Sequence, residues 1–172
     1  MVKSMLVQPI SGFSAQVGVL LSMMEMTRET TRARVVGLTV PQLDWRFDSK
    51  ANSIGMLLGH IAAVEEIYTI EHLEGRKPTT EENSWLQPRL ELEDAGFEAM
   101  RGTKLNEYFA DLERARKRTE EQLSKIDDEA LNRPMKMWGM EVNLHWMFFH
   151  VMEDELRHTG QITWLLKRMP EI

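Results

Sequence analysis

The sequence LHWMFFHVMEDELRHTGQITWLL, which runs from Leu144 to Leu166, decides the fold of this chain. It predicts one long helix on which His150, Asp154 and His158 follow one another at intervals of four residues. Side chains at this spacing lie on a single stripe of the helix. Four apolar residues share the stripe and predict that it faces the interior: Met147, Val151, Ile162 and Leu165. Because buried polar side chains are unfavourable without a partner, we expect this helix to carry the chemistry of the protein.

The first of three further amphipathic segments has seam residues at steps of four and three from Phe13 to Leu38. This near-heptad period predicts a long bundle helix that ends before Pro41. Four charged residues lie off the seam: Arg28, Glu29, Arg32 and Arg34.

The second segment begins at its N-cap, Asn52 or Ser53, and stops near Gly75. Its inner face consists of Ile54, Leu57, Ile61, Val64 and Tyr68. His60 follows Leu57 by three residues and precedes Val64 by four, so we expect it to share this face.

Thr103 is expected to cap the third long helix, whose core face runs from Leu105 to Ile126. Its core face consists of Leu105, Tyr108, Phe109, Leu112, Ala115, Thr119, Leu123 and Ile126. Its outer face is charged, as is typical of a solvated surface, and consists of Glu113, Arg114, Arg116, Lys117, Arg118, Glu120 and Glu121.

Two connections complete the predicted architecture. Residues 76–103 are irregular, with one short helix around Glu81 to Leu86, and a connection of this length is often a functional cover. Asp127 to Gly139 is predicted to be a loop. Four long amphipathic segments without a convincing strand pattern predict an all-α four-helix bundle, one domain over residues 1–172. The residue pattern alone leaves its topology open.

Composition excludes several classes of function. The 172 residues are 42% hydrophobic and 28% charged, and the formal net charge is −6 with both signs interspersed. No basic stripe suits a phosphate backbone, so we expect no nucleic-acid partner. The chain has no cysteine, which excludes disulfides, thiolate metal sites and a cysteine nucleophile.

The uncharged segment from Ser4 to Met24 is interrupted by Pro9, Gly12 and several polar residues. It is too broken for a transmembrane span or a signal peptide. We therefore expect a cytoplasmic protein without a membrane partner.

A divalent metal site is the sharper interpretation of the polar stripe. Asp154 and His158 can grip one ion from one helix, and His60 can complete the set from a facing helix. Two imidazoles and one carboxylate leave coordination positions open, as in catalytic sites. His150 lies a turn too far from His158 to share that ion, so it would pair with Asp154 in another site or support the first.

The alternative is an interhelical hydrogen-bond network without metal, and the spacing alone gives the two interpretations similar weight. Glu65 is interpreted as a structural or supporting carboxylate and Glu66 as a solvated one. No glycine-rich phosphate loop and no G-x-S-x-G nucleophile motif occurs. Four tryptophans are candidates for a pocket mouth, although packing is their more frequent role: Trp45, Trp85, Trp138 and Trp146.

Two stretches, SIGMLLGHIAAVEEIYTIEHLEG from Ser53 to Gly75 and HWMFFHVMEDELRHTGQI from His145 to Ile162, resemble the DinB-like (DinB/YfiT) superfamily of metalloenzymes. The connector LDWRFDS, from Leu43 to Ser49, also resembles the family's approach to its second helix. The most specific piece is R-H-x-G-Q, here Arg157 to Gln161.

The resemblance implies a four-helix bundle in up-down-down-up order, often a homodimer. It places the metal ligands on His60, Asp154 and His158. Asp154 departs from the family pattern, since many members have histidine at this position. Some subfamilies have a carboxylate there. A carboxylate makes the site harder and more anionic, so Zn, Ni, Mn and Fe are not distinguished.

Members of the family with known activity include thiol-dependent S-transferases and mycothiol-dependent isomerases. We therefore expect a metal-dependent enzyme, a thiol S-transferase or a hydrolase, that acts on a small-molecule substrate such as a low-molecular-weight thiol. The competing expectation is a non-catalytic metal-binding or stress-response module. The sequence assigns no catalytic residue beyond the ligands.

Overall fold

The structure, a computed structural model, describes residues 5–171. The predicted domain limits, Met1 and Ile172, lie outside these residues, as does Ser4 at the start of the uncharged segment. The described chain forms eight α-helices, a π-helical turn and a β-hairpin. Their bounds are α1 Ala15–Val35, α2 Val40–Asp44, α3 Ile54–Tyr68, the π-helical turn Thr69–Leu73, α4 Thr80–Glu91, α5 Asp94–Met100, α6 Leu105–Leu123, α7 Asp128–Asn132, β1 Met135–Met137, β2 Met140–Val142 and α8 Leu144–Leu166.

The first and last long helices, α1 and α8, are parallel neighbours. Arg28 binds Glu155, with 2.9 Å between Nε and Oε1. One turn further along both helices, the hydroxyl oxygens of Thr31 and Thr159 are 2.8 Å apart. Residue numbers rise together along the two helices, so the helices point the same way.

The two middle helices, α3 and α6, are also parallel. Glu65 accepts a hydrogen bond from Arg116 at 2.7 Å. One turn further on, the hydroxyl groups of Thr69 and Thr119 are 2.7 Å apart.

The two parallel pairs run in opposite directions. The rings of His60 and His158 lie together near the middle of α3 and α8, whereas Tyr68, later in α3, lies beside His150, earlier in α8. The order is therefore up-down-down-up, and the predicted all-α bundle is confirmed.

The predicted core faces meet inside this bundle. Ser53 is the N-cap of α3, as expected, since its side chain accepts a hydrogen bond from the Met56 backbone N–H. The first helix ends at Val35, and Pro41 lies in the first turn of α2, where proline loses no helical hydrogen bond. The third helix begins after Lys104 rather than Thr103.

Buried charge is the main departure from the predicted core. Arg28, Glu65, Arg116 and Glu155 are each at most 6% exposed, and they come from four different helices. The Arg28 side chain donates to both carboxylates, and Arg116 donates to Glu65. Mutual pairing satisfies groups that would otherwise be very costly to bury.

Two surface predictions on the charged faces were therefore wrong. Arg116 is buried rather than solvated because Glu65 attracts it inward. Glu66, predicted to be solvated, is 6% exposed and binds Arg118 at 2.6 Å.

Residues 76–103 are more helical than predicted, since they contain α4 and α5. Thr79 and Glu82 form a capping box at the start of α4, and this box is the local signal for the longer helix. Pro88 lies inside α4 and removes one backbone hydrogen bond. The segment packs on α3, with Leu86 fully buried.

The predicted loop from Asp127 to Gly139 also contains regular structure. Asp127 caps the short helix α7, and β1 then pairs with β2 in antiparallel register. The strands turn through Trp138 and Gly139, both with positive φ. None of the helices in residues 5–171 is long and apolar enough to cross a membrane.

Candidate metal site

Three predicted ligands meet between α3 and α8. The Nε2 atom of His60 is 3.8 Å from Oδ2 of Asp154, and the Nε2 atom of His158 is 3.4 Å from Oδ1. One ligand atom from each residue lies within 4.8 Å of those from the other two. Because α3 and α8 run in opposite directions, His60 near the middle of α3 lies beside Asp154 and His158, which are four residues apart on α8.

Both imidazoles are held by their other nitrogen. The Nδ1 atom of His60 is 2.8 Å from the backbone carbonyl oxygen of Arg89 in α4, and Nδ1 of His158 is 3.0 Å from Oε1 of Gln161. Because these oxygens only accept hydrogen bonds, each Nδ1 carries the proton in the neutral ring. Each Nε2 therefore presents a lone pair towards Asp154, as metal-binding histidines do.

Asp154 provides the test of whether a cation fits. Its Oδ2 atom is buried and has no hydrogen-bond partner among the described residues. The separations of 3.4 and 3.8 Å to the imidazoles are long for direct hydrogen bonds. Two ligands about 2.1 Å from one tetrahedral ion are about 3.4 Å apart, so the spacing suits an ion between them.

The charges of the site are coupled. Burial lowers the pKa of His60, which favours the neutral ring that a metal requires. Burial also opposes the charged form of His158, but the Asp154 carboxylate outweighs it and raises the pKa of His158. For Asp154, burial is outweighed by the neighbouring imidazoles, which lower its pKa.

The buried ion pairs fix the two ligand helices from behind. Glu155 follows Asp154 in α8, and Glu65 lies about one turn beyond His60 in α3. Arg28 binds both glutamates, at 2.9 and 2.6 Å. This link limits sliding of α3 against α8 and so maintains the distance between the ligands.

The ligands are partly open to solvent. The side chains of His60, Asp154 and His158 are 12%, 19% and 11% exposed. Among the described residues, no further His, Cys, Asp or Glu joins the group. An ion held by these three side chains would keep coordination positions free for a small molecule.

His150 does not belong to the group. Its ring stacks on Trp146 at 5.4 Å between centroids, and its Nδ1 atom is 3.1 Å from Glu153. No hydrogen bond joins His150 to Asp154, but the His150 ring is among the neighbouring groups that lower the pKa of Asp154. Of the candidate tryptophans, Trp138 and Trp146 are 59% and 38% exposed.

Sequence reasoning missed the groups that orient the ligands. The Arg89 contact comes from a backbone carbonyl, which leaves no signature in residue identity. Gln161, three residues after His158 in the R-H-x-G-Q motif, could have been found from its i, i+3 spacing. Glu65, interpreted from the sequence as a structural or supporting carboxylate, was the available signal for a buried cation.

Comparisons with known proteins agree with this architecture. A solved structure of a conserved protein from Enterococcus faecalis has a TM-score of 0.66 and 17% identity, and covers 86% of this chain and 92% of its own. At this identity the likeness shows the fold alone. No curated protein matches the chain. The family model for mycothiol-S-transferase matches residues 19–168. The chain therefore belongs to the mycothiol-S-transferase family, a DinB/YfiT-like family, as the resemblance implied.

Proposed function

We propose that the protein is a metal-dependent S-transferase that joins a low-molecular-weight thiol to a small electrophile. The observation that carries this proposal is the buried, unpartnered Oδ2 atom of Asp154 beside two imidazoles whose Nε2 atoms face it. Membership of the mycothiol-S-transferase family supports the class of reaction.

His60, Asp154 and His158 would hold the ion. When bound, a divalent ion acts as a Lewis acid and lowers the pKa of a coordinated thiol, so that the thiolate forms at neutral pH. The Arg89 carbonyl and Gln161 hold the imidazoles in the required tautomer. Asp154 contributes a negative charge that partly neutralises the ion. The donor set suits several first-row metals and selects none of them.

Partial exposure favours an enzyme over a purely structural site. A structural ion is enclosed by four protein ligands, whereas these three residues retain access to solvent. The same access would admit water, so hydrolysis is the nearest competing reaction.

Metal binding is tested first, by thermal unfolding of chelated protein with and without added divalent ion. At a hundredfold excess over Kd, the ion should stabilise wild type by about 2.7 kcal/mol. Asp154→Ala should show little of this shift. His72→Ala and His145→Ala are matched controls, because these histidines lie outside the group and should retain the shift.

Equal shifts in wild type and Asp154→Ala would place the ion elsewhere. Thiol transfer is then measured with metal-loaded protein, a panel of thiols and a generic electrophile. Loss of transfer in His158→Ala, with transfer retained in His145→Ala, is the expected result. A loaded wild type that consumes no thiol would contradict the transferase proposal and favour the hydrolase or the non-catalytic module.

A further inference from the structure

A cavity of about 550 Å³ lies beside the candidate metal site. It opens to solvent and is bordered by the connector before α3, the first turn of α3 and the last turns of α8. Its lining residues are Lys50, Ala51, Asn52, Leu57, Arg157, Gly160, Gln161, Trp164 and Leu165. This volume is in the range that holds a small organic molecule.

The cavity is connected to the ligands through shared residues. Gln161 lines the cavity and also holds Nδ1 of His158. Leu57, on the opposite wall, lies three residues before His60. The cavity therefore begins about one helical turn from the metal ligands, roughly 5 Å along each helix axis. The three candidate ligands themselves do not line the cavity.

The charge of the cavity is positive. Lys50 and Arg157 line it, and none of the described lining residues is acidic. One guanidinium nitrogen of Arg157 donates a hydrogen bond to Glu153 at 2.6 Å, and its other N–H groups are left as donors for a ligand. Lys50 has no ion pair among the described residues. Trp164, which is 41% exposed, adds apolar surface, so the lining suits an anionic group on an apolar or neutral body.

Gly160 lines this cavity without a side chain. It lies inside α8, where glycine is a poor helix former. A Cβ atom built on Gly160 would meet no atom within 4 Å, so a larger side chain would project into the cavity without a clash. In the R-H-x-G-Q motif, His158 thus faces the metal site while Arg157, Gly160 and Gln161 line the cavity.

We propose that this cavity binds the carboxylate-bearing part of the thiol substrate, so that the protein prefers an acidic thiol to a neutral one. The identity of the ligand as a thiol rests on the proposed function. Lys50 and Arg157 would receive the carboxylate, and the sulfur would lie towards His60 and His158.

The direct test uses N-acetyl-S-methylcysteine and its methyl ester, which differ in one carboxylate charge and have no thiol to ionise. Isothermal titration is made with metal-loaded and with chelated protein. Wild type should bind the acid at least about fivefold more tightly than the ester in both states, as expected for one exposed charge pair. Lys50→Glu should remove this preference, whereas Lys77→Glu, at an exposed lysine outside the cavity, should retain it.

A second pair of variants tests the position of the ligand. Gly160→Leu should abolish binding of the acid without lowering the melting temperature or the metal content. Gly160→Ala, which adds a single methyl group, should retain the preference for the acid. In the transfer assay, N-acetylcysteine should have a lower KM than its methyl ester, and Lys50→Glu should remove the difference.

Equal binding of acid and ester by wild type, or unchanged binding in Gly160→Leu, would overturn the proposed cavity. Failure of the transferase proposal is seen separately, as absence of transfer with every thiol while the acid still binds chelated protein. In that case the cavity remains an anion site, but its ligand is not a thiol substrate.

Discussion

At the scale of single residues, Glu65 of α3 links two other helices through buried ion pairs, which no sequence pattern indicated. Its carboxylate is fully buried and binds Arg28 at 2.6 Å and Arg116 at 2.7 Å. Glu65→Ala should lower the free energy of unfolding by about 3–5 kcal/mol, because two buried guanidinium groups lose a counter-charge. Urea unfolding measures the change.

Glu25→Ala is the matched control, since this carboxylate also binds Arg116 but its side chain is 56% exposed. An exposed pair of this kind contributes about 0–1 kcal/mol. Similar losses in the two variants would show that burial of the Glu65 pair carries no additional energy.

The same carboxylate predicts a dependence of stability on pH. Burial opposes ionisation of Glu65, but the charges of Arg116 and Arg28 outweigh it and lower the pKa to about 2, from an ordinary 4.5. A carboxyl whose pKa is lower in the folded state stabilises the fold above its ordinary pKa, and this contribution is lost as pH falls from 4.5 towards 2. In that interval the melting temperature of wild type should fall more steeply than that of Glu65→Gln. Parallel slopes would argue against a lowered pKa.

Four-residue steps placed Asp154 and His158 on one face of α8, and His60 was nominated because it shares the inner face of α3. The same steps also included His150, which lies outside the group. Residue spacing could not identify Arg28 or Arg116 as buried, since each lies at the border of its apolar face. Only the partner carboxylates, which come from distant helices, decide the direction of these long side chains.

At the scale of elements, the inward face of α6 carries the clearest energetic expectation. Leu112 is fully buried in the same core cluster as Leu57 and Ile61. Leu112→Ala should reduce the free energy of unfolding by about 2–5 kcal/mol through lost burial and the remaining cavity. Denaturant unfolding checks this, with the exposed Lys117→Ala as control. An unchanged midpoint for Leu112→Ala would contradict the packing of this face.

The four long helices could be predicted because each has an apolar face that recurs over several turns. The short elements could not. Helix α4 buries only Leu86 and contains Pro88, so its periodic signal is weak. The strands β1 and β2 have three residues each, which is too short to show alternation.

At the scale of the whole molecule, we expect a homodimer that uses part of the first helix. The resemblance to the family and the uncharged N-terminal region motivate this expectation. Met5, Leu6 and Val7, which precede α1, are 69%, 68% and 49% exposed. Light scattering at micromolar concentration should give twice the chain mass of 20.1 kDa. A mass of one chain would contradict the expectation.

Topology was the property that residue patterns left open. Helices that follow one another in sequence could be neighbours or lie diagonally, and amphipathic faces do not distinguish these arrangements. The parallel pairs α1–α8 and α3–α6 require long crossings, which the segment containing α4 and α5 provides between α3 and α6.

The pairing of α1 with α8 has a consequence for synthesis of the chain. The first helix emerges from the ribosome with its main neighbour still untranslated, and the intervening residues 36–143 require roughly 5–20 s at ordinary elongation rates. Throughout this interval the seam of α1 lacks its eventual cover, and Arg28 lacks Glu155. Asp154 and His158 arrive on the same last helix, so a nascent chain cannot assemble the candidate ligands before α8 has docked. A bound ion would therefore mark a finished molecule.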